Sequence, residues 1–312
     1  MSNRPAQYAS LGALILIWGT TWAAIRIGLR GIPPLTGVAL RFGIAAVVLL
    51  ALARGFGVRL GAERYERRLW LSNTVLTFCI SYGIVYWAEQ WVPSGLASVL
   101  FATYPLWVAL LAHAALPGER LSVRQAAGIL VGFAGVAVIF SEDLRALGGP
   151  RVAAAAAILL ISPVCSALGS VAVKRWGAGI PPLSLAAVPM GATALLLGPL
   201  ALVCESGRTV HFDASAIGSL LYLALAGSAL SFTLFFWLLE RLPATTLSLI
   251  NYAHPVVAVT VGGIWLREPV TSRTLLGAGL VIVGVVVAAW ARAAAQPTRQ
   301  PRQGRVGTRP PD

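Results

Sequence analysis

Long apolar runs broken by short polar turns set the pattern of this chain. The runs fall at 9–29, 35–53, 69–88, 94–116, 124–141, 152–173, 182–203, 214–239, 243–266 and 274–292. Each approaches the roughly 20 apolar residues that a helix needs to cross a hydrocarbon core. Turn formers separate them, at Gly31-Ile32-Pro33-Pro34, Val92-Pro93-Ser94, Gly148-Gly149-Pro150, Gly179-Ile180-Pro181-Pro182 and Leu242-Pro243. The pattern predicts an all-α integral membrane protein of ten transmembrane helices, numbered here as segments 1 to 10. The first run carries Trp18, Trp22 and Arg26 and no small-residue cleavage site, so it reads as the first helix rather than a signal peptide.

The second half restates the first. Gly31-Ile32-Pro33-Pro34-Leu35 recurs letter for letter as Gly179-Ile180-Pro181-Pro182-Leu183. Ser81, Trp87, Pro93, Ser98 and Pro105 recur at constant spacing as Ser231, Trp237, Pro243, Ser248 and Pro255. After a one-residue gap, Glu119, Arg124, Gly128 and Gly135 recur as Glu268, Arg273, Gly277 and Gly284. The chain thus divides into a first repeat over 1–145 (segments 1 to 5), a second over 150–293 (segments 6 to 10), and a basic tail over 294–312 expected to be disordered and cytoplasmic. Five segments per repeat is an odd number, so the second repeat enters the membrane from the other side. Inverted repeats build two related gates around one central site.

These features together resemble the drug/metabolite transporter superfamily, as a ten-helix member with two EamA-type repeats. The resemblance is carried by Trp18-Gly19-Thr20 in segment 1, Leu40-Arg41-Phe42 in segment 2, and Gly118-Glu119-Arg120-Leu121-Ser122 after segment 4. The last of these is echoed by Arg267-Glu268-Pro269-Val270-Thr271 after segment 9, and the glycine-rich segments 5 and 10 complete it. It covers nearly all of residues 9–292 and implies export of amino acids or other metabolites, with related branches carrying nucleotide sugars or sugar phosphates. The halves differ chemically. Segment 6 reads Ser162-Pro163-Val164 against Trp18-Gly19-Thr20 in segment 1, and Arg41 has no basic counterpart in segment 7.

Composition removes other classes. Of the 312 residues, 57% are hydrophobic and 11% charged, with a mean hydropathy of +0.79. Soluble domains carry about 25% charged residues, so the surface must face lipid, and no room remains for a soluble catalytic domain. The net charge of +13 would suit nucleic acid, but the bases sit in short loops and tails. That distribution fits anionic headgroups and the positive-inside rule. Its partners are therefore the bilayer and a small-molecule substrate, not nucleic acid. Arg54, Arg59, Arg64, Arg67 and Arg68, the Lys174-Arg175 pair, and the arginines of the tail share one side only if both termini do. Both termini are thus expected in the cytoplasm, with the protein multi-pass in a bacterial inner membrane. The arginine skew, with Lys174 the sole lysine, points to a GC-rich bacterial genome. Neither Cys79, Cys165 and Cys204 nor the three histidines form a metal or catalytic cluster. No cofactor, metal or enzymatic activity is expected, which sets aside a lipid-modifying membrane enzyme. A receptor or scaffold would need no two-gate symmetry.

The candidate chemistry lies in segments 1 to 4, 8 and 9. Arg41 is a charge inside segment 2, which costs at least about 2.5–3.5 kcal/mol unless it faces a wet cavity or a partner. It is read as substrate-binding or as a structural link, and its presence in the family pattern across diverse substrates favours the link. Tyr104 precedes Pro105, and His254, with Asn251 and Tyr252 one turn earlier, precedes Pro255. Proline kinks a helix and frees a carbonyl, so Pro105 and Pro255 are expected hinges. Trp18, Tyr82, Tyr86, Tyr104, Asn251, Tyr252 and His254 are expected to converge on a central substrate cavity, whose aromatic lining suits an amphipathic organic molecule. Glu89, Glu119, Glu240 and Glu268 all fall near segment ends. A mid-membrane carboxylate, the usual proton relay and the group on which small drug exporters of the superfamily rely, is missing. This counts against multidrug efflux, the alternative function, and leaves any coupling to His113, His254 or interfacial acids. Glu119 and Glu268 are expected to hold loops or cap the following helices. The glycines of segments 5 and 10 suit close packing, either within a protomer or in a homodimer that nothing in the sequence requires.

A reporter fused after Arg309 and one fused at the N-terminus should both report a cytoplasmic location. A periplasmic C-terminus would mean an odd helix count and would end the two-repeat reading.

Overall fold

The computed structural model describes residues 4–61, 63–119, 122–140 and 150–295. Residues 141–149 and the tail beyond Ala295 lie outside the described residues. Among the described residues ten helices run alternately up and down: α1 (Arg4–Gly28), α2 (Pro34–Gly55), α3 (Arg64–Ala88), α4 (Ser94–Ala115), α5 (Val123–Phe140), α6 (Arg151–Trp176), α7 (Pro182–Cys204), α8 (Ala214–Arg241), α9 (Ala244–Trp265) and α10 (Ser272–Ala295). Eight are long and apolar enough to cross a membrane, and α5 and α10 add the shorter apolar stretches Val123–Gly135 and Ser272–Gly284. Prolines open α2 and α7 at the first turn, where a missing N–H costs nothing. Below, the face holding the start of α1 is the N-terminal face, and the face holding its end is the opposite face.

The helices sort into pairs by repeat. α2 packs along α7 and α5 along α10, while α1, α3, α4, α6, α8 and α9 enclose the centre. The glycines predicted for packing join α5 to α10 within the protomer. A Cβ at Gly135 would stand 2.6 Å from the Gly277 carbonyl, and one at Gly284 would strike the backbone of Gly128 and Gly132. Such close backbone approach is a common way for helices to associate in lipid.

Four of the central helices are irregular in matched pairs, and α6 is interrupted at Leu160. α3 widens into a π-helix over Asn73–Ser81, and its repeat mate α8 does so over Leu225–Leu230. α4 breaks at Ala102-Thr103, and α9 tightens into a 3-10 turn over Leu249–Tyr252. Both breaks come just ahead of the predicted hinges, because Pro105 and Pro255 have no N–H to offer the carbonyls one turn earlier. Irregular backbone at membrane depth is tolerated where it faces protein or a cavity.

The starts of α2 and α4 are satisfied across the repeats. The Leu35 and Thr36 amides at the start of α2 donate to Glu205, at the end of α7, each at 2.9 Å. In the mirrored position, the Ser184 hydroxyl at the start of α7 donates to the Leu60 carbonyl beyond α2 at 2.6 Å. Glu268 accepts from the Ser94 amide at 2.9 Å, the Ser94 hydroxyl at 2.7 Å and the Gly95 amide at 3.2 Å. Thr245, at the start of α9, donates to Glu119 at 3.1 Å. These two carboxylates therefore reach the helix of the other half, α4 or α9. The start of α5 instead uses a Ser122–Gln125 capping box.

Replacing Gly284 by Leu should lower folded yield and thermal stability in detergent, because the side chain meets backbone. Gly198→Leu, where a Cβ meets nothing within 4 Å, should leave both unchanged. Equal behaviour of the two variants in a fluorescence size-exclusion and melting assay would contradict this packing.

Candidate functional site

A cavity of about 70 Å³ lies where the two repeats meet. Its walls are Trp18, Thr21, Trp22 and Ile25 of α1, Thr77, Ser81, Tyr82 and Val85 of α3, and Phe101 and Tyr104 of α4. The second repeat adds Ser166 and Ser170 of α6, Phe232 and Phe235 of α8, and Asn251 and His254 of α9. The repeat explains this set. The spacing that carries Gly31 onto Gly179 carries Trp18 onto Ser166 and Trp22 onto Ser170. The spacing that carries Ser81 onto Ser231 carries Tyr82 onto Phe232, Val85 onto Phe235, Phe101 onto Asn251 and Tyr104 onto His254. Both members of each pair face the same space. Ser166 is thus the lining mate of Trp18. Ser162, which the sequence comparison set against Trp18, lies behind it, bonded to Ser81 at 2.7 Å.

The pairs are related in position but not in chemistry, so the cavity has two characters. One wall is aromatic: the Trp18 ring centroid stands 5.3 Å from Phe232, 5.4 Å from Phe235 and 6.0 Å from His254, and Trp22 stands 5.4 Å from Phe101. The other is hydroxylic: Ser81 shares a 2.8 Å bond with Ser166, and Tyr104 donates to Ser170 at 2.8 Å. Two buried polar atoms on this lining, Thr77 Oγ1 and His254 Nε2, have no partner among the described residues. An unpaired buried polar atom is costly, and a ligand group entering the cavity would relieve both. Among the described residues, no carboxylate, lysine or arginine lines the space.

The sequence-selected residues fall into three groups. Trp18, Tyr82, Tyr104, Asn251 and His254 line the cavity. Tyr86 and Arg41 stand one layer behind it. The side chain of Tyr252 lies outside the described residues, although its backbone belongs to the 3-10 turn of α9. Arg41 is completely buried. Its Nε donates to Ser228 Oγ at 2.7 Å, its Nη2 to the Gly227 carbonyl at 3.1 Å, and its Nη1 to the Tyr86 hydroxyl at 3.5 Å. The guanidinium lies 4.8 Å from the Tyr82 ring centroid. Gly227 and Ser228 belong to the π-helical turn of α8, whose widened backbone turns the Gly227 carbonyl toward α2. Trp18 Nε1 donates to the same carbonyl at 3.4 Å. Arg41 thereby ties α2 to α8 and backs the wall that Tyr82 presents. Its repeat position in α7 holds Pro189, whose carbonyl takes the Thr193 hydroxyl at 2.8 Å. Sequence reasoning missed the serines of α6, Phe101 and the phenylalanines of α8. Applying the repeat spacing to the residues it did select would have found most of them.

Comparison with known proteins agrees with this architecture. The model of the EamA-like transporter family matches residues 8–141 and 153–290. A protein of Streptantibioticus cattleyicolor, named a probable terminal-alkyne amino-acid exporter, is 32% identical over 88% of this chain and 90% of its own. The uncharacterized inner membrane transporter YedA of Escherichia coli is 30% identical over 90% of this chain and 89% of its own. A crystal structure superposes with a TM-score of 0.71 at 22% identity, over 94% of this chain and 99% of that one, which is a likeness of fold.

Arg41→Ala should cut folded yield and melting temperature. It removes the charge-assisted hydrogen bonds to Ser228 Oγ and the Gly227 carbonyl, each worth about 1.5–3 kcal/mol. A variant expressed at the parental level that loses only anionic or zwitterionic substrates would instead assign Arg41 to binding.

Proposed function

The chain belongs to the EamA-like transporter family, and from that premise we propose that it exports a small amphipathic metabolite, an amino acid or aromatic compound, by alternating access. The cavity carries this reading. The aromatic wall suits an apolar side chain, and the hydroxylic wall with Thr77 and His254 suits the polar end. The name of the Streptantibioticus relative, an amino-acid exporter, supports the same class. Multidrug efflux is the weaker reading, since a cationic drug would meet no carboxylate among the lining residues described.

The breaks at Ala102-Thr103 and Leu249–Tyr252 would serve as the flexing points, one in each repeat. Rocking there would open one face of the bundle while closing the other, as inverted repeats permit. The arginine-rich loop between α2 and α3, Arg175 and the start of α1 share the N-terminal face, which supports placing both termini in the cytoplasm of a cell whose inner membrane holds the protein.

The test is transport into or out of proteoliposomes with a labelled panel of amino acids, aromatic metabolites and organic cations, with and without a pH gradient. Amino acids or aromatic compounds should move and organic cations should not; the reverse result would overturn the substrate class. For the substrate found, Tyr82→Ala and Asn251→Ala should raise the half-saturation concentration about two- to tenfold, the worth of one aromatic or polar contact, with surface expression unchanged. Unaltered half-saturation in both would remove the cavity from the transport path.

A further inference from the structure

Two latches related by the repeat join helix ends at the two faces of the bundle. At the N-terminal face, Lys174 at the end of α6 donates to the Leu239 carbonyl at 2.7 Å and the Leu242 carbonyl at 2.8 Å, at the end of α8. Thr245 and Glu119 join beside them. At the opposite face, Arg26 at the end of α1 holds the Glu89 carbonyl at the end of α3. Arg26 also lies 3.9 Å from Glu268, which caps α4. The repeat spacings carry Arg26 onto Lys174 and Glu89 onto Leu239, and Glu119 is the mate of Glu268.

One position breaks the likeness. Where the first latch has the apolar side chain of Leu239, the second has the carboxyl of Glu89. It is completely buried, and neither of its oxygens has a hydrogen-bond partner among the described residues. Two cations, Arg26 and Arg41, favour its charged form across space, but neither donates to its carboxyl oxygens, and burial and Glu268 oppose them. Arg26 from α1 spends itself on the Glu89 carbonyl and on Glu268. Arg41 from α2 is bonded to Ser228 and Gly227. Glu268, from the α9–α10 turn, brings a like charge. Tyr86, one turn back on α3, takes Arg41. Farther out, Arg151 of α6 sits over the Trp91 ring and Arg208 donates to Gln90. An ionised carboxylate enclosed without a donor is far more costly than a neutral carboxylic acid.

We propose that Glu89 is a proton-binding site: closing the opposite face takes up one proton on its carboxyl, and opening that face to water releases it. The proposal rests on the alternating-access reading above. It makes the carrier proton-linked through a residue that no mid-membrane position marks. The sign follows from linkage. The closed face holds the extra proton, so low pH favours closure, and raising the pH favours opening by about tenfold per pH unit for one proton.

Val85, one turn inside Glu89, lines the cavity on this side and provides the reporter. In a full-length chain with Cys79, Cys165 and Cys204 replaced by Ala, Val85→Cys is labelled with a membrane-impermeant maleimide in vesicles, without substrate. Rates are normalised to the unfolded chain at each pH. The parent's rate should climb steeply as pH rises, approaching about tenfold per unit, while E89Q stays slow and flat. E89L, which copies the other latch and so suits its packing, should also be flat and decides the matter if E89Q does not accumulate. The infrared band of a protonated carboxyl, present in the parent at low pH, should lose its Glu89 component in E89Q. A parent rate indifferent to pH, or an E89Q or E89L rate that follows pH as the parent does, overturns the proposal. The labelling does not depend on cargo, so an intact pH response in a protein that moves no tested solute counts against the export reading and supports the proton site.

Discussion

Every break in a helix that crosses hydrocarbon frees backbone groups that no water reaches, and in lipid such groups must find partners inside the protein. In this molecule some partners are nearby side chains of the same helix, such as Thr103, Ser231 and Asn251, and others are side chains of the other repeat. Glu205 answers the start of α2, Glu268 the start of α4, and Arg41 the widened turn of α8. The two halves are therefore not merely packed together. Each leaves polar ends that only the other satisfies, so neither repeat would be a satisfied structure alone.

The same requirement shapes the cavity. The π-helical turn of α3 and the breaks of α4 and α9 border the central space, and the π-helical turn of α8 stands just behind it. Regular helices α2, α5, α7 and α10 stand outside as paired supports. Pseudo-twofold placement then gives the space its shape, while unlike residues at matched positions give it polarity. Trp18 and Trp22 face serines at their repeat positions, and Phe101 faces Asn251. An amphipathic solute fits such a site in one orientation better than in the reverse.

The latches follow the same logic at the two faces. In each, a cation at the end of α1 or α6 draws in the carbonyl end of α3 or α8, beside a carboxylate that binds the start of α4 or α9. Under the proposed alternating access, access to the site and closure of a face would be parts of one mechanical unit, and the difference between Glu89 and Leu239 would make the two faces respond differently to pH.

The sequence alone determined the ten helices, their boundaries to within a few residues at most ends, the inverted repeat and the membrane setting. These are one-dimensional properties: the length of an apolar run, the turn residues between runs, and an ordered series of matches at fixed spacing. It also determined the neighbourhood of the site, because Tyr104-Pro105 and His254-Pro255 mark irregular helix wherever the bundle places them. Only the tertiary structure decided which faces line the cavity. A membrane helix is apolar toward lipid and toward protein alike, so periodicity does not separate Tyr82, which faces the space, from Tyr86, which backs it. Tertiary structure likewise decided what the acidic residues at helix ends do. In sequence Glu89, Glu119, Glu205 and Glu268 look equally interfacial. Packing alone assigns three of them to helix starts in the other repeat and encloses the fourth, because whether a carboxyl meets water, an amide or neither depends on which distant segment comes to cover it.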